Sequence, residues 1–77
     1  MSADYLEKEI NLAVDGMNCE HCAKTIEREV SRIDGVSRVL VSLRNKDAQV
    51  VFDPQKTSVE DICKVISQAG FSAREKA

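Results

Sequence analysis

Two cysteines three positions apart, Cys19 and Cys22, are the residues of this 77-residue chain best suited to chemistry. Thiolates are nucleophiles and soft ligands. A close pair either exchanges electrons with another dithiol or holds a soft ion such as copper(I), zinc or mercury(II), whereas magnesium and calcium call for oxygen. The donor set is short. A structural zinc site normally takes four ligands, and the other conceivable donors are His21, Cys63 and nearby carboxylates. Copper(I) and mercury(II) accept two sulfurs in a near-linear arrangement, which Cys19 and Cys22 supply alone. Two ligands on an exposed loop leave room for an incoming thiolate from a partner, an opening through which an ion can be handed on. Three cysteines are an odd number, and in a reducing compartment a close pair signals metal or redox chemistry more often than a structural disulfide.

The flanking segments must position this pair. Ile10, Leu12 and Val14 alternate with Asn11, Ala13 and Asp15, the period of a half-buried strand, which Gly16 ends. From about Glu20 to Ile33 the period changes: Ala23, Ile26, Val30 and Ile33 form one stripe, with Lys24, Glu27, Arg28 and Glu29 on the other side. That predicts an amphipathic helix, stopped by Asp34-Gly35. The cysteine pair therefore falls where a strand hands over to a helix. There the free N–H groups and the positive end of the helix dipole favour anions, so both thiols are expected to ionise more readily than free cysteine. Gly16 is expected to supply a backbone conformation or a close approach that a side chain would block.

The remaining pattern completes a fold. Val39, Val41 and Leu43 alternate with polar neighbours, Asn45-Lys46-Asp47 reads as a turn, and Ala48, Val50 and Phe52 alternate again, which predicts a hairpin. Asp53-Pro54 stops the second strand. Thr57 or Ser58 caps a helix with Val59, Ile62, Ile66 and Ala69 on one face, and Gly70 ends it before a last short strand from Phe71 to about Glu75. The order β-α-β-β-α-β is the ferredoxin-like α+β plan, a four-stranded antiparallel sheet with two helices on one face. It predicts a single domain over residues 1–77 with an ordered core of about 8–75.

Composition narrows the function. A chain this short buries only about 60% of the surface its unfolded form exposes, which leaves little room for a deep active site. The formal net charge is −2, cations and acids are interspersed, and Tyr5, Phe52 and Phe71 are the only aromatics. A nucleic-acid partner is therefore not expected, since phosphate binding wants clustered cations and stacking rings. The start has neither a basic leader nor an apolar run, and no stretch reaches the roughly 18 apolar residues of a membrane span. A cytoplasmic location without direct membrane insertion is expected.

The run Gly16-Met17-Asn18-Cys19-Glu20-His21-Cys22-Ala23 after the first strand resembles the metal loop of the heavy-metal-associated domain family. That family comprises copper chaperones, amino-terminal metal-binding domains of metal-pumping P-type ATPases, and mercury carriers. The resemblance extends from about Lys8 to Ala73 and includes Val59-Glu60-Asp61-Ile62 and Ala69-Gly70-Phe71. It implies that Cys19 and Cys22 are the metal ligands, that Met17 anchors the loop in apolar surroundings, and that Phe71 lies near the loop from the opposite side. Core packing is the physical role expected of the Met17 thioether. Zinc- and cadmium-exporting members often carry aspartate before the first cysteine, and Asn18 is a poorer ligand, so copper(I) is favoured over zinc. Periplasmic mercury carriers begin with a signal sequence not seen here, which places mercury(II) behind copper(I).

His21 resembles the histidine of several bacterial copper chaperones, which lies beside the site and assists a bridged or dimeric copper form; its other reading is an exposed residue at a helix start. Cys63 is read as a small hydrophobe at the edge of a helix stripe, with a second-site ligand or a dimer-bridging thiol as the alternative. Tyr5 and Leu6 carry no assignment. Phe71 resembles the pump domains, whereas the opening methionine and the end shortly after the last strand favour a free-standing carrier. The resemblance thus implies a non-enzymatic carrier that passes copper(I) by thiolate exchange to a copper-transporting P-type ATPase or its metal-binding domain. If the chain is itself the pump domain, the partner is a copper chaperone. A monomer is expected without metal, with a metal-bridged dimer as an alternative form. A thiol redox protein and a metal-regulated interaction domain are the competing classes.

Overall fold

The computed structural model describes residues 7–76; Tyr5 and Leu6 lie outside them. Six elements follow in the order β1 (Lys8–Asp15), α1 (Glu20–Ser31), β2 (Val36–Ser42), β3 (Asp47–Phe52), α2 (Val59–Gln68) and β4 (Ser72–Glu75). The strands form one antiparallel sheet in the order β2-β3-β1-β4, the ferredoxin-like arrangement expected from the alternation of periods.

Register assigns each side chain to a face. Ile10 pairs with Val50, which pairs with Val39, and Leu12 pairs with Ala48, which pairs with Val41. These residues point the same way and meet Ile26 and Val30 of α1 and Ile62 and Ile66 of α2 in a single core with Val14, Met17 and Phe52. Each fully buried side chain of this kind stabilises the fold by about 1.5–3 kcal/mol relative to exposure. One residue along each strand, Asn11, Gln49 and Leu40 lie in one row on the opposite face. A one-residue slip of any strand would exchange the two sets, so the apolar alternation holds the register.

The boundaries differ from the sequence expectation in three places. α1 stops at Ser31: the backbone N–H groups of Arg32 and Ile33 reach back only three residues, to Glu29 at 3.3 Å and Val30 at 3.1 Å, tightening the last turn. Ile33 still packs on the core from beyond the helix end. The turn between β2 and β3 spans 43–46 instead of 45–47, with Asp47 paired to Ser42 and to Ala13 inside the ladders. Lys46 closes it in the left-handed region at φ 56°. β2 begins already at Val36, with an irregularity between Val36 and Arg38 that the alternating pattern does not announce. For α2, Ser58 and not Thr57 is the cap, its hydroxyl accepting from the Asp61 N–H at 3.3 Å.

Candidate metal site

β1 ends at Asp15, and the chain turns through Gly16 at φ 94°, a conformation costly for any residue with a Cβ. A Cβ placed there would meet Phe71 Cδ1 at 3.5 Å, an ordinary contact, so backbone conformation and not crowding calls for glycine. The same distance shows that the Phe71 ring flanks the loop. Met17 turns inward and is 1% exposed, joined to the core cluster that β1 and the helices share. The loop is thus clamped from below by an apolar side chain while its polar residues Asn18 and Cys19 stay outside.

Cys19 is the N-cap of α1, with extended backbone angles of −156° and 164°, and its carbonyl accepts the first helical bond from Ala23 N–H at 3.2 Å. Cys22 lies in the first turn. One helical turn of separation brings the two Sγ atoms to 3.1 Å. Cys19 is exposed, whereas Cys22 is half-buried and packs on the core, so the two thiols differ in accessibility where the sequence suggested an exposed pair. The Cys22 thiol also approaches Asn18 Oδ1 at 3.9 Å.

The environment holds the Cys19 thiol below its ordinary pKa. The hydrogen bond from the Cys22 side chain is the largest cause, backbone N–H groups of Cys22 and His21 add to it, and the little desolvation present opposes it. These amides belong to the free donors at the start of a helix, so at Cys19 the polarisation expected from position takes the form of hydrogen bonds to sulfur. The exposed Cys19 sulfur is thereby stabilised as thiolate, the ligating and nucleophilic form.

The other sequence candidates are not brought to the pair. His21 is exposed, its carbonyl accepts from Thr25 Oγ1 at 2.9 Å, and no cluster of three or more His, Cys, Asp or Glu able to hold a metal exists among the described residues. Cys63 sits half-buried on α2 against the core; burial, with a smaller contribution from the Glu75 carboxylate, pushes its thiol pKa up. One neighbour of the site was not foreseen. Lys46 O accepts from Val14 N–H at 2.9 Å, fastening the β2–β3 turn beside the end of β1, two residues before Gly16. The long hairpin in the sequence was the available signal, but only strand order places its turn at this end.

A ferredoxin-like layer with a dithiol at the junction of its first strand and first helix defines a class of small soft-metal-binding domains. The profile of the heavy-metal-associated domain matches residues 11–72, and the chain belongs to that family. It is similar to the copper chaperone CopZ of Bacillus subtilis, at 45% identity over 60 residues, covering 78% of this chain and 87% of that protein. It is 39% identical over 67 residues to the mercuric transport protein periplasmic component of Pseudomonas fluorescens, covering 87% and 74%. It is also 42% identical over 64 residues to copper-transporting ATPase 1 of Mus musculus, covering 83% of this chain but only 4% of that pump. Among solved structures, oxidized MerP from Ralstonia metallidurans superposes with a TM-score of 0.90 at 35% identity, covering 94% of this chain and all of that one. The chain is therefore a heavy-metal-binding domain of the kind found in both free carriers and transport ATPases, and no described helix is long and apolar enough to cross a membrane.

Proposed function

We propose that this domain carries copper(I) as cargo, held between the thiolates of Cys19 and Cys22, and passes it on by thiolate exchange. The observation that carries this reading is a 3.1 Å dithiol with no third His, Cys, Asp or Glu grouped with it among the described residues. Two sulfurs satisfy copper(I), fall short of a structural zinc site, and leave the ion open to attack. An incoming partner thiolate bonds to the ion, one of the two domain sulfur–metal bonds breaks, and a second partner thiolate then displaces the other. Exposed Cys19 faces the partner directly, while half-buried Cys22 stays with the core. No bond of the protein itself is made or broken, and the domain is not an enzyme.

Relatives named as a copper chaperone and as a copper-transporting ATPase support a P-type ATPase, or its metal-binding domain, as the acceptor; the cytoplasmic setting proposed with it competes with the periplasmic one printed for the mercuric relative. Had the chain come from such a pump, the same exchange would run from a chaperone to this site. The mercuric transport relatives support mercury(II) as the competing cargo, since it too takes two sulfurs. Asn18, with its neutral amide, supports copper(I) over zinc. Anaerobic titration of the reduced protein with copper(I) against a competing chelator tests the reading. Tight binding is expected to fall at least about 100-fold in Cys19→Ser and in Cys22→Ser, since loss of a mere outer-shell partner of a metal ligand already costs about 10–100-fold. Equal binding by the double variant sinks the assignment; zinc binding as tightly as copper(I) sinks the Asn18 argument.

A further inference from the structure

β2 and β4 are the outer strands of the sheet, and each leaves a row of backbone groups with no strand beside it. The two edges differ. β4 has four residues, and the charged groups of Arg74 and of Lys76 just after it are tied to Asp15 and Asp47. β2 has seven and pairs with β3 without irregularity from Arg38 to Ser42. At the centre of that stretch stands Leu40, 50% exposed and the one large exposed hydrophobic residue described.

The hydrogen-bond phase of the sheet fixes which backbone groups of β2 face outward. Val14 N–H donates to Lys46 O at 2.9 Å across the β1–β3 ladder, and in an antiparallel ladder hydrogen-bonded pairs recur at every second residue. Ala48 and Val50 therefore turn their backbone to β1, while Gln49 and Val51 turn theirs to β2, where they meet Leu40 and Arg38. On the far side of β1, the bond from Lys76 N–H to Asn11 O at 2.9 Å agrees with this phase. The N–H and C=O groups of Val39 and Val41 are thus the ones that face outward, one residue to either side of Leu40.

A second copy of the chain fits this edge in one register. Set antiparallel about a two-fold axis at Leu40, Val39 of each copy lies opposite Val41 of the other, and the outward groups exchange four N–H···O bonds. The two Leu40 residues then face each other as a non-hydrogen-bonded pair, with Cα atoms about 4.5 Å apart, and each covers the other's exposed side chain. Sliding by two residues, the smallest step that keeps the phase, sets Leu40 against Arg38 or Ser42 instead. Charge agrees with the same axis. Lys24 and Glu27 of α1 are common to the two shallow grooves beside β2, one reaching Leu40 and the other Val39, so they stand level with the strand's centre. Both are exposed and neither makes an ion pair among the described residues. The two-fold reverses the helix direction and brings Lys24 of each copy to Glu27 of the other, the self-complementarity that an isologous interface requires.

We infer that β2 is a self-pairing edge through which two copies of this chain join their sheets into one of eight strands. The contact is one strand and one helix rim wide, so the dimer is a weak, reversible one. It needs no metal, where the family resemblance implies a metal-free monomer. Leu43, just beyond β2, shares a groove with Glu20 and Ala23 beside the cysteine pair, and the antiparallel setting therefore places the two dithiols at opposite ends of the joined sheet. Both stay open to exchange, unlike the sulfurs of a metal-bridged dimer.

The test is sedimentation of the reduced protein, kept metal-free by a copper(I) chelator and EDTA, from about 1 μM to about 1 mM, the span of weak association. The parent is expected to move from monomer to dimer. Leu40→Glu is expected to stay monomeric while melting close to the parent, because it sets two carboxylates face to face at a position half open to solvent. Lys24→Glu is expected to raise the dissociation constant about three- to tenfold, and adding Glu27→Lys to restore it within about twofold. Amide exchange read by NMR gives a second measure: Val39 and Val41 N–H are expected to slow about tenfold once about nine-tenths of the chains are paired, while Arg38 and Leu40, already bonded to β3, do not respond. A parent that stays monomeric, as it would if the edge receives a strand of another protein, overturns the inference. So does association that appears only on adding copper(I), that survives Leu40→Glu, or that leaves Val39 and Val41 exchange unchanged.

Discussion

Met17 separates two roles that the same residue could play beside a soft metal, and its replacement tests how the loop is held. Its side chain is 1% exposed and packs within the core cluster. Met17→Ala removes three heavy atoms from this packing. At about 0.8 kcal/mol for each buried methylene-sized group, plus a cavity contribution, the loss is about 3 kcal/mol. For a domain of this size each kcal/mol moves Tm by about 4–8 °C, so a drop of about 12–24 °C is expected in thermal unfolding followed by circular dichroism. Copper(I) affinity should fall with it, because the loop carrying Cys19 loses its fastening to the core. Met17→Leu keeps volume and apolarity and is expected to cost less than about 1.5 kcal/mol, with copper(I) affinity unchanged within about threefold. Should the leucine variant lose copper(I) as completely as Cys19→Ser while melting normally, the thioether is a ligand and the anchoring argument is wrong. Should the alanine variant melt within a few degrees of the parent, Met17 does not hold the loop.

The cysteines should react in a definite order. Iodoacetamide at neutral pH is expected to modify Cys19 first and Cys63 last, since exposure and a lowered pKa favour thiolate at Cys19 while burial and Glu75 disfavour it at Cys63; peptide mass mapping showing Cys63 ahead contradicts this. The raised Cys63 pKa also has a signed effect on folding. Its contribution is complete below the unfolded thiol pKa and is lost as pH rises through the higher folded value, so Cys63→Val is expected to flatten the decline of stability on the alkaline side of the ordinary thiol range. Gly35→Ala should be costly without touching the site. It stands at φ 104°, and an added Cβ would come within 2.7 Å of Lys56 Cβ, so destabilisation above about 2 kcal/mol is expected from strain and overpacking together. A Tm change of only a few degrees would show that the Lys56 segment gives way easily.

Much of the site was legible because its determinants are local. Cys19 and Cys22 lie one helical turn apart, so spacing and the onset of the 3.6-residue period already imply sulfurs side by side at a helix start, as the 3.1 Å separation confirms. Gly16 marked a special backbone conformation, and the strand alternations of Ile10, Leu12 and Val14 named the buried face. The family profile over residues 11–72 bears out the resemblance that the loop carried. The inaccuracies were also local in kind: the end of α1 and the span of the hairpin turn depend on which carbonyl a given N–H reaches, and apolar periodicity does not encode that choice.

What folding alone decided is everything set by residues distant in sequence. The unequal exposure of the two thiols depends on Cys22 meeting the core, and the place of Phe71 against Gly16 depends on β4 joining the edge of β1. That Cys63 stays apart from the dithiol, leaving no group of three His, Cys, Asp or Glu among the described residues, is a matter of helix placement. So is the arrival of the β2–β3 turn beside the end of β1, where Lys46 O accepts from Val14 N–H, carried there by the antiparallel pairing of β3 with β1. Side-chain types and spacing determine which atoms can bind a soft ion. Long-range pairing, chosen by burial of the apolar faces as a whole, determines which of those atoms meet and which surface a partner encounters.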